Sequence, residues 1–269
     1  MITSANHILE ALFEWAPPHL KEDYDNIGLL VGRKDHVINR VLVCLDVTEK
    51  VVDEAISKGC ELIVAHHPII FKKLSHVRDD DDATKLIYKL VKWDINVICM
   101  HTNLDAASKG VSFALAERLD LIETSFLTPT EEQAGFGVIG RLSKPQNKED
   151  FLQFIAHCLQ LPMIRYHGDG QKIERIAVCG GAGAFLIQKA LDLKLDAYLT
   201  ADLKYHDFFQ GTDSLLLCDI GHYESEIPIV DKIKEYLDIR FSSLTTEVTS
   251  VVTNSVNYYT SNNETTKST

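Results

Sequence analysis

The chain has 269 residues, of which 45% are hydrophobic and 25% are charged, a composition typical of a folded globular protein. Its formal net charge of −12 argues against nucleic acid as the main partner, because nucleic-acid-binding surfaces are normally basic. The sequence has no apolar run of membrane-spanning length, no secretory signal in its first ten residues and no Cys-x-x-Cys pair among its six cysteines. We therefore expect a cytoplasmic protein with reduced thiols and no membrane partner.

Helices and short apolar strands alternate along the N-terminal half, which predicts an α/β fold. Capping residues mark two of the helices, with Ser4 and Thr48 at their starts and Gly59 at the end of the second. Helices are predicted over residues 3–15, 48–59, 86–91 and 108–119. Residues 24–32 are predicted to form a turn that leads into a strand, and further strands are predicted over 41–45, 62–65 and 96–100.

The C-terminal half shows the same alternation. The predicted elements are strands over 135–142, 163–167, 173–179, 197–200 and 215–218, and helices over 148–159, after 183 and over 229–237. Residues 180–183, Gly-Gly-Ala-Gly, are predicted to form a strand-to-helix turn, which could hold a phosphate on its amides. Because the full spacing of a phosphate-binding loop is missing, a structural turn is the preferred interpretation. Residues 261–269, rich in Ser, Thr and Asn, are predicted to be a flexible tail.

Two segments separated by 135 residues resemble each other. They begin with Arg-Val-Leu-Val-Cys at residues 40–44 and Arg-Ile-Ala-Val-Cys at residues 175–179, and each continues as turn, helix and strand. This pattern predicts two similar three-layer α/β lobes that arose by internal duplication, although generic self-resemblance of α/β proteins is the alternative. We place the first lobe at residues 1–125 and the second at 126–260, with no third domain inserted between them.

Histidines and carboxylates follow directly after predicted buried strands. His66 and His67 end one strand, and two later strands each lead into a His-x-x-x-acid pattern: His101 to Asp105, and His222 to Glu226. Ligands of open α/β sheets lie at the carboxyl ends of strands, so equivalent strand ends of two facing lobes could share one cleft. The predicted metal ligands are His66, His67, Asp105, His222 and Glu226.

Three imidazoles and two carboxylates exceed the needs of one tetrahedral zinc ion. They suit two divalent ions about 3.5–4 Å apart that share a bridging carboxylate and activate water for hydrolysis. Nitrogen and oxygen donors without thiolate fit Zn, Mn, Fe or Co. For His101 we prefer a supporting or proton-transfer role over direct ligation. Asp202, Lys204, Tyr205 and His206 could line a substrate pocket or form a polar loop. Asp25 and Asn26 could reach a site, but a turn role is the preferred interpretation.

Five motifs in this order resemble the dinuclear metal-centre proteins of the Nif-three-like family, often labelled GTP cyclohydrolase 1 type 2 homologues. The resemblance runs from about residue 4 to about residue 260. It implies the same five ligands, with Glu226 bridging both ions, and a homohexameric ring with the metal sites facing an inner cavity. The motifs are Tyr24-Asp-Asn-Ile-Gly-Leu-Leu-Val-Gly32, Ala65-His-His-Pro68, His101-Thr-Asn-Leu-Asp105, residues 202–206 and Gly221-His-Tyr-Glu-Ser-Glu226.

The predicted function is a two-metal hydrolase of a nucleotide or similar small molecule, with His101 and Glu226 as catalytic residues. The net charge does not exclude a nucleotide, because bound cations would reverse the local potential. The alternatives are a metal-dependent binding or scaffold protein without catalytic activity, and a protein in which the metals only hold the lobes together.

Overall fold

A computed structural model describes residues 2–131 and 133–259, so the predicted tail at 261–269 lies outside the described residues. The chain folds into two compact units. Unit one comprises the chain up to Leu104 together with Val230–Thr253, and unit two comprises Asp105–Ile229 together with the chain from Asn254 onward. Each unit is thus built from two stretches of chain, whereas the sequence analysis assigned one contiguous stretch to each lobe.

Unit one contains a five-stranded sheet in the order β1-β4-β3-β2-β11. β2, β3, β4 and β11 run parallel to one another, and β1 lies antiparallel to β4 at one edge. The strands are β1 (Gly28–Val31), β2 (Arg40–Cys44), β3 (Leu62–Ala65), β4 (Asn96–Cys99) and β11 (Thr245–Val248), and the helices are α1 (Ala5–Trp15), α2 (Glu49–Lys58), α3 (Lys85–Lys92) and most of α9 (Pro228–Arg240).

The parallel strands are buried because helices cover them. Every residue of β3 and β4 is buried, as near-continuous apolar runs predict for parallel strands. Apolar side chains of α2 and α3 pack on one face of the sheet: Val51, Val52, Ala55, Ile87 and Leu90. The predicted caps are confirmed, since Ser4 Oγ accepts from His7 N, Thr48 accepts from Val51 N, and Gly59 ends α2 in the left-handed conformation.

Strand β11 was not predicted from the sequence, and the segment after it is tied to α2 by Glu54. The Glu54 carboxylate accepts from Ser250 N at 3.0 Å, from Ser250 Oγ at 2.9 Å, from Lys58 Nζ at 3.0 Å and from Thr249 Oγ1. Burial alone would raise the pKa of Glu54, but the hydrogen bonds led by that from Thr249 outweigh it and lower the pKa to about 2.

Glu54→Gln is expected to lower the free energy of unfolding by about 2 kcal/mol at neutral pH, because charge-assisted hydrogen bonds are lost. A carboxylate with a lowered pKa in the folded state stabilises the protein above its ordinary pKa, and that stabilisation is lost as the pH falls. The difference between wild type and variant should therefore shrink from pH 4.5 towards about 2. Urea denaturation across this pH range measures it. Glu49→Gln, at an exposed carboxylate on the same helix, is the control; a pH-independent difference would contradict the assignment.

Unit two contains a six-stranded sheet in the order β5-β6-β8-β9-β10-β7. Its core packs helix α6 against the central strands, with Phe151 and Ile155 fully buried. The strands are β5 (Ile122–Glu131), β6 (Ala134–Gln146), β7 (Arg165–His167), β8 (Ile173–Ala182), β9 (Ala197–Ala201) and β10 (Leu216–Asp219), and the helices are α4 (Thr102–Ala106, which starts in unit one), α5 (Val111–Arg118), α6 (Lys148–Cys158), α7 (Ile187–Asp192) and α8 (His222–Glu226).

The structure corrects one prediction and adds three elements that were not predicted. Strand β8 continues through Gly180 and Gly181 to Ala182, where the sequence predicted a turn. Two short helices were not predicted: α4 begins directly after His101 and contains Asp105, and α8 contains His222 and Glu226. Strand β5 was missed because most of its residues are exposed and the run lacks apolar alternation.

The parallel ladders of the two units share one register. In unit one Val41 pairs with Leu62, and in unit two Ile176 pairs with Ala197, so both partners are displaced by the 135 residues of the sequence repeat. The acidic residue before the second strand also plays the same part in each unit. Glu61 accepts from the amides of Asn39 and Arg40, and Asp196 accepts from the amides of Glu174 and Arg175.

Helices within residues 2–131 and 133–259 fall short of the length and apolar character that crossing a membrane requires.

Candidate metal centre

Three histidines come together at the carboxyl edge of the sheet in unit one. His66 and His67 follow β3, and His101 follows the neighbouring parallel strand β4. One ligand atom from each of the three lies within 4.8 Å of the others. His66 is fully buried, and the other two are half-buried. The predicted pair is thus joined by His101 in one cluster.

Each of these rings is held through its Nδ1 atom. His66 Nδ1 lies 2.8 Å from the carbonyl oxygen of Met100, and His67 Nδ1 lies 2.7 Å from Asp46 Oδ1. His101 Nδ1 lies 2.8 Å from Asp25 Oδ1. Because all three partners accept hydrogen bonds, Nδ1 carries the proton and the neutral ring keeps its lone pair on Nε2. Histidine ligands of metal ions are characteristically oriented in this way.

Asp25 contacts one of the clustered histidines, although the sequence analysis preferred a turn role for it. It was interpreted as a turn residue, and it does accept from Asn26 N at 2.7 Å. It also accepts from His101 and from the amide and hydroxyl of Thr102. Burial would raise the pKa of Asp25, but these hydrogen bonds, led by that from His101, hold it well below its usual range. The buried carboxylate of Asp25 therefore fixes the ring of His101.

Asp25→Asn is expected to lower the free energy of unfolding by about 2 kcal/mol, because a neutral amide cannot accept from all the donors that surround this carboxylate. Urea denaturation at neutral pH measures the change. Asp23→Asn, at an exposed position two residues earlier, is the matched control. Equal stability of the two variants would show that the Asp25 contacts contribute little.

In unit two, His222 and Glu226 lie one turn apart on α8, which places both side chains on one helix face. His222 Nε2 is 3.1 Å from Glu226 Oε2, and His222 Nδ1 is 2.7 Å from Asp202 Oδ2. The hydrogen bond to Glu226, aided by Asp202, raises the pKa of His222 to about 9 despite partial burial. As with His67 and His101, an aspartate holds Nδ1, and Nε2 of His222 faces the carboxylate of Glu226.

Gly181 makes room for the Glu226 carboxylate. It has a φ of +63°, and a Cβ placed there would overlap Glu226 Oε1 and come within 3.5 Å of the His222 ring. The Gly181 amide donates to Ser225 Oγ at 2.9 Å, and Ser225 lies on α8 with His222 and Glu226. The irregular end of β8 is thus shaped around α8.

The amides of the glycine-rich segment are occupied by side chains. Those of Gly180 and Gly183 donate to Ser112 Oγ and Thr200 Oγ1, just as Gly181 donates to Ser225. These amides therefore serve packing between elements, which supports the structural interpretation over phosphate binding.

Asp105, the remaining predicted ligand, lies on α4 at the beginning of unit two. Two effects raise the pKa of the Cys179 thiol to about 12. Burial is the larger effect, and the negative charge of Asp105 is the second. The six cysteines are free thiols, five of them buried, as predicted.

The loop after β9 carries exposed aromatic rings, and hydrogen bonds hold the start of this loop in place. Asp202, which contacts His222, starts the loop with a φ of +56°. Asp219 accepts from Leu203 N at 3.0 Å, which fixes the start of the loop. Tyr205 and Phe209 are 73% and 65% exposed, and their ring centroids lie 5.3 Å apart.

The three histidines of unit one form one of the groups that could hold a metal ion. Imidazole and carboxylate donors without thiolate, as in these His and Glu groups, suit Zn, Mn, Fe or Co. The part of the chain that the structure describes therefore contains His and Glu groups that could hold a metal ion.

A sequence profile of the Duf34/NIF3 (NGG1p interacting factor 3) family matches residues 3–257. The chain is 34% identical over 242 residues to a GTP cyclohydrolase 1 type 2 homolog of Clostridium perfringens, covering 88% of this chain and 92% of that protein. A homolog of the same name from Clostridium acetobutylicum is 33% identical over 230 residues, covering 84% and 86%.

Solved structures share the fold. The Staphylococcus aureus hypothetical protein SA1388 superposes with a TM-score of 0.88 at 28% identity, covering 96% of this chain and all of that one. A Bacillus cereus protein related to NIF3 superposes with a TM-score of 0.89 at 23% identity, covering 96% and 99%, which supports the fold alone. The mixed α/β architecture with two sheets is therefore confirmed.

Proposed function

Because the chain belongs to the Duf34/NIF3 (NGG1p interacting factor 3) family, we propose that it is a metal-dependent hydrolase acting on a nucleotide or similar small molecule. In this proposal His66, His67, Asp105, His222 and Glu226 hold two divalent ions, with Glu226 bridging them. The observation that carries the proposal is the common orientation of the histidines: His66, His67, His101 and His222 are all held through Nδ1. Relatives named GTP cyclohydrolase 1 type 2 homolog support a nucleotide substrate.

The protein's own groups prepare this chemistry before any substrate binds. Asp46, Asp202 and the carbonyl oxygen of Met100 fix three imidazoles, so little reorganisation is needed on metal binding. When bound, such ions lower the pKa of water and neutralise negative charge that develops during hydrolysis.

His101 and Glu226 are the proposed catalytic residues. The Asp25 contact leaves the lone pair of His101 on Nε2, where it can accept a proton from water and return it to a leaving group. The pairing resembles the carboxylate–histidine arrangement of hydrolases, in which the carboxylate orients the ring and stabilises its protonated form. Glu226 would contribute a negative charge that two bound cations could share.

The loop that begins at Asp202 is proposed to contact the substrate ring. Exposed, mutually packed aromatic side chains on an anchored loop offer a stacking surface to a planar base. Tyr205→Ala should weaken nucleotide binding about tenfold, the order of magnitude of one base–aromatic stack. Equilibrium binding of GTP to the metal-loaded protein measures it. Tyr88→Ala, at an exposed tyrosine of α3, is the control; equal binding by both variants would remove Tyr205 from the substrate site.

We also propose that the two units arose by internal duplication. The shared ladder register, with pairs 135 residues apart, supports a common origin, as do the equivalent contacts of Glu61 and Asp196. Duplication would explain why the third strand of each parallel ladder, β4 and β10, leads into a His-x-x-x-acid segment.

The test of the proposed function begins with protein stripped by a chelator and reloaded separately with Zn, Mn, Fe or Co. GTP and a panel of nucleotides are then incubated with each form, and products are separated by liquid chromatography. We expect turnover with at least one metal, lost in Glu226→Gln and retained in Glu224→Gln. Full metal loading without consumption of any nucleotide would show that the hydrolase proposal is wrong.

A metal-dependent binding or scaffold protein is the second candidate. The exposed rings of Tyr205 and Phe209 favour it, because exposed aromatic clusters also mark contacts between proteins. In that case the metal-loaded chain would form a stable complex without turnover. The homohexamer stays a prediction, which sedimentation equilibrium of the metal-loaded protein would test.

A further inference from the structure

Three neighbouring strands of unit one deliver three polar side chains to the same edge of the sheet. β3, β2 and β11 are adjacent and parallel, so their carboxyl ends lie side by side. His67 follows β3, Asp46 follows β2, and Thr253 lies in the segment after β11. The order of the side chains along the edge therefore matches the order of the strands.

These side chains form one chain of hydrogen bonds through the two oxygens of a single carboxylate. Asp46 Oδ1 accepts from His67 Nδ1 at 2.7 Å, and Asp46 Oδ2 accepts from Thr253 Oγ1 at 2.6 Å. A carboxylate bonded at both oxygens has a fixed rotation about its side-chain bonds. Thr253 thus restrains the plane in which Asp46 meets the imidazole of His67.

The segment that carries Thr253 is itself anchored. Thr249 N continues the ladder by donating to Val43 O at 2.9 Å, and Glu54 accepts from Thr249 and Ser250. Thr253 follows Ser250 by only three residues. The anchored residues therefore hold the backbone that carries the Thr253 hydroxyl in a defined position.

We propose that Thr253 is a positioning residue for metal binding, which acts through Asp46 on the orientation of His67. This inference rests on the proposed function, because it assumes that His67 is a ligand. Asp46 is 35% exposed, so water can replace part of the lost contact and the effect of Thr253 should be moderate. Outer partners of metal ligands change affinity by about 10- to 100-fold when removed directly, and a residue one bond further away should change it by about three- to tenfold.

The experiment measures Zn²⁺ affinity of the full chain by competition with a chromophoric chelator. Thr253→Val keeps the shape of the side chain and removes the hydroxyl, and it should weaken binding by about three- to tenfold. Thr253→Ser restores the hydroxyl and should restore affinity. The control is Thr246→Val on β11, whose buried hydroxyl has no hydrogen-bond partner among the described residues and should leave affinity unchanged.

A double-mutant cycle tests the route through Asp46. In an Asp46→Ala background, Thr253→Val should cause no further loss, because the carboxylate that links Thr253 to His67 is absent. Thermal denaturation of each metal-free variant confirms that the chain is folded and separates affinity from stability.

Two outcomes would overturn the inference while leaving the proposed function intact. Wild type and Thr253→Val could bind Zn²⁺ with equal affinity, or the loss in Thr253→Val could persist unchanged in the Asp46→Ala background. Failure of wild type itself to bind Zn²⁺, Mn²⁺, Fe²⁺ or Co²⁺ would overturn both the inference and the proposed function.

Discussion

Glu226→Gln is expected to reduce the metal content of the proposed two-ion centre to at most one ion per chain. The substitution preserves the volume next to Gly181 and removes the charge that two cations would share. We expect the affinity for the more weakly held ion to fall by about 100-fold or more, beyond the range seen for outer partners of metal ligands. Elemental analysis after reconstitution and dialysis measures the stoichiometry.

Glu224→Gln is the matched control for this experiment. Glu224 lies two residues away on the same short helix and pairs with Asn254, at 2.8 Å, rather than with His222. It should retain both ions. Two tightly bound ions in Glu226→Gln would remove this residue from the metal centre and leave the bridging role without support.

Gly181→Ala is expected to abolish tight metal binding and to destabilise the protein. A methyl group at this position would overlap the Glu226 carboxylate and force it to move. The left-handed backbone at Gly181 adds a cost of about 1–2 kcal/mol for any residue with a Cβ. Metal content and urea denaturation of the same preparation measure the two effects separately.

Gly59→Ala separates the steric effect from the backbone effect. Gly59 has a φ of +64°, almost the same as Gly181 at +63°, but a Cβ there would meet nothing within 4 Å among the described residues. This variant should lose a similar amount of stability and bind metal normally. If Gly181→Ala also bound metal normally, the close approach of Glu226 to Gly181 would have no functional consequence.

Much of the fold could be predicted because local patterns determine it. The apolar runs of β3 and β4 have the length and composition of buried parallel strands, and Ser4, Thr48 and Gly59 mark helix ends by their own hydrogen bonding and backbone freedom. His66, His67 and His101 were found for the same reason, since they follow the apolar runs of β3 and β4. Their metal-binding role stays a prediction.

The residues that hold the histidines could not be predicted, because their roles depend on tertiary contacts. Asp25 reaches His101 across 76 residues of sequence, and Thr253 reaches Asp46 across 207. No periodicity or spacing rule connects such distant residues. Asp202 was predicted either to line a substrate pocket or to belong to a polar loop, but only the fold gives it His222 as a partner. A mostly exposed strand such as β5 gave no apolar signal either.

His66 differs from the other histidines in what secures its ring. Its acceptor is a main-chain carbonyl oxygen, whereas His67, His101 and His222 rely on aspartates. Met100 could therefore be exchanged for another apolar residue without depriving His66 of its anchor, because every amino acid carries that oxygen. The position of this carbonyl oxygen depends on the pairing of β4 with β3, which continues where Met100 N donates to Ala65 O, and not on the identity of the side chain at position 100. Comparing residue identities among relatives would consequently overlook one of the four anchors.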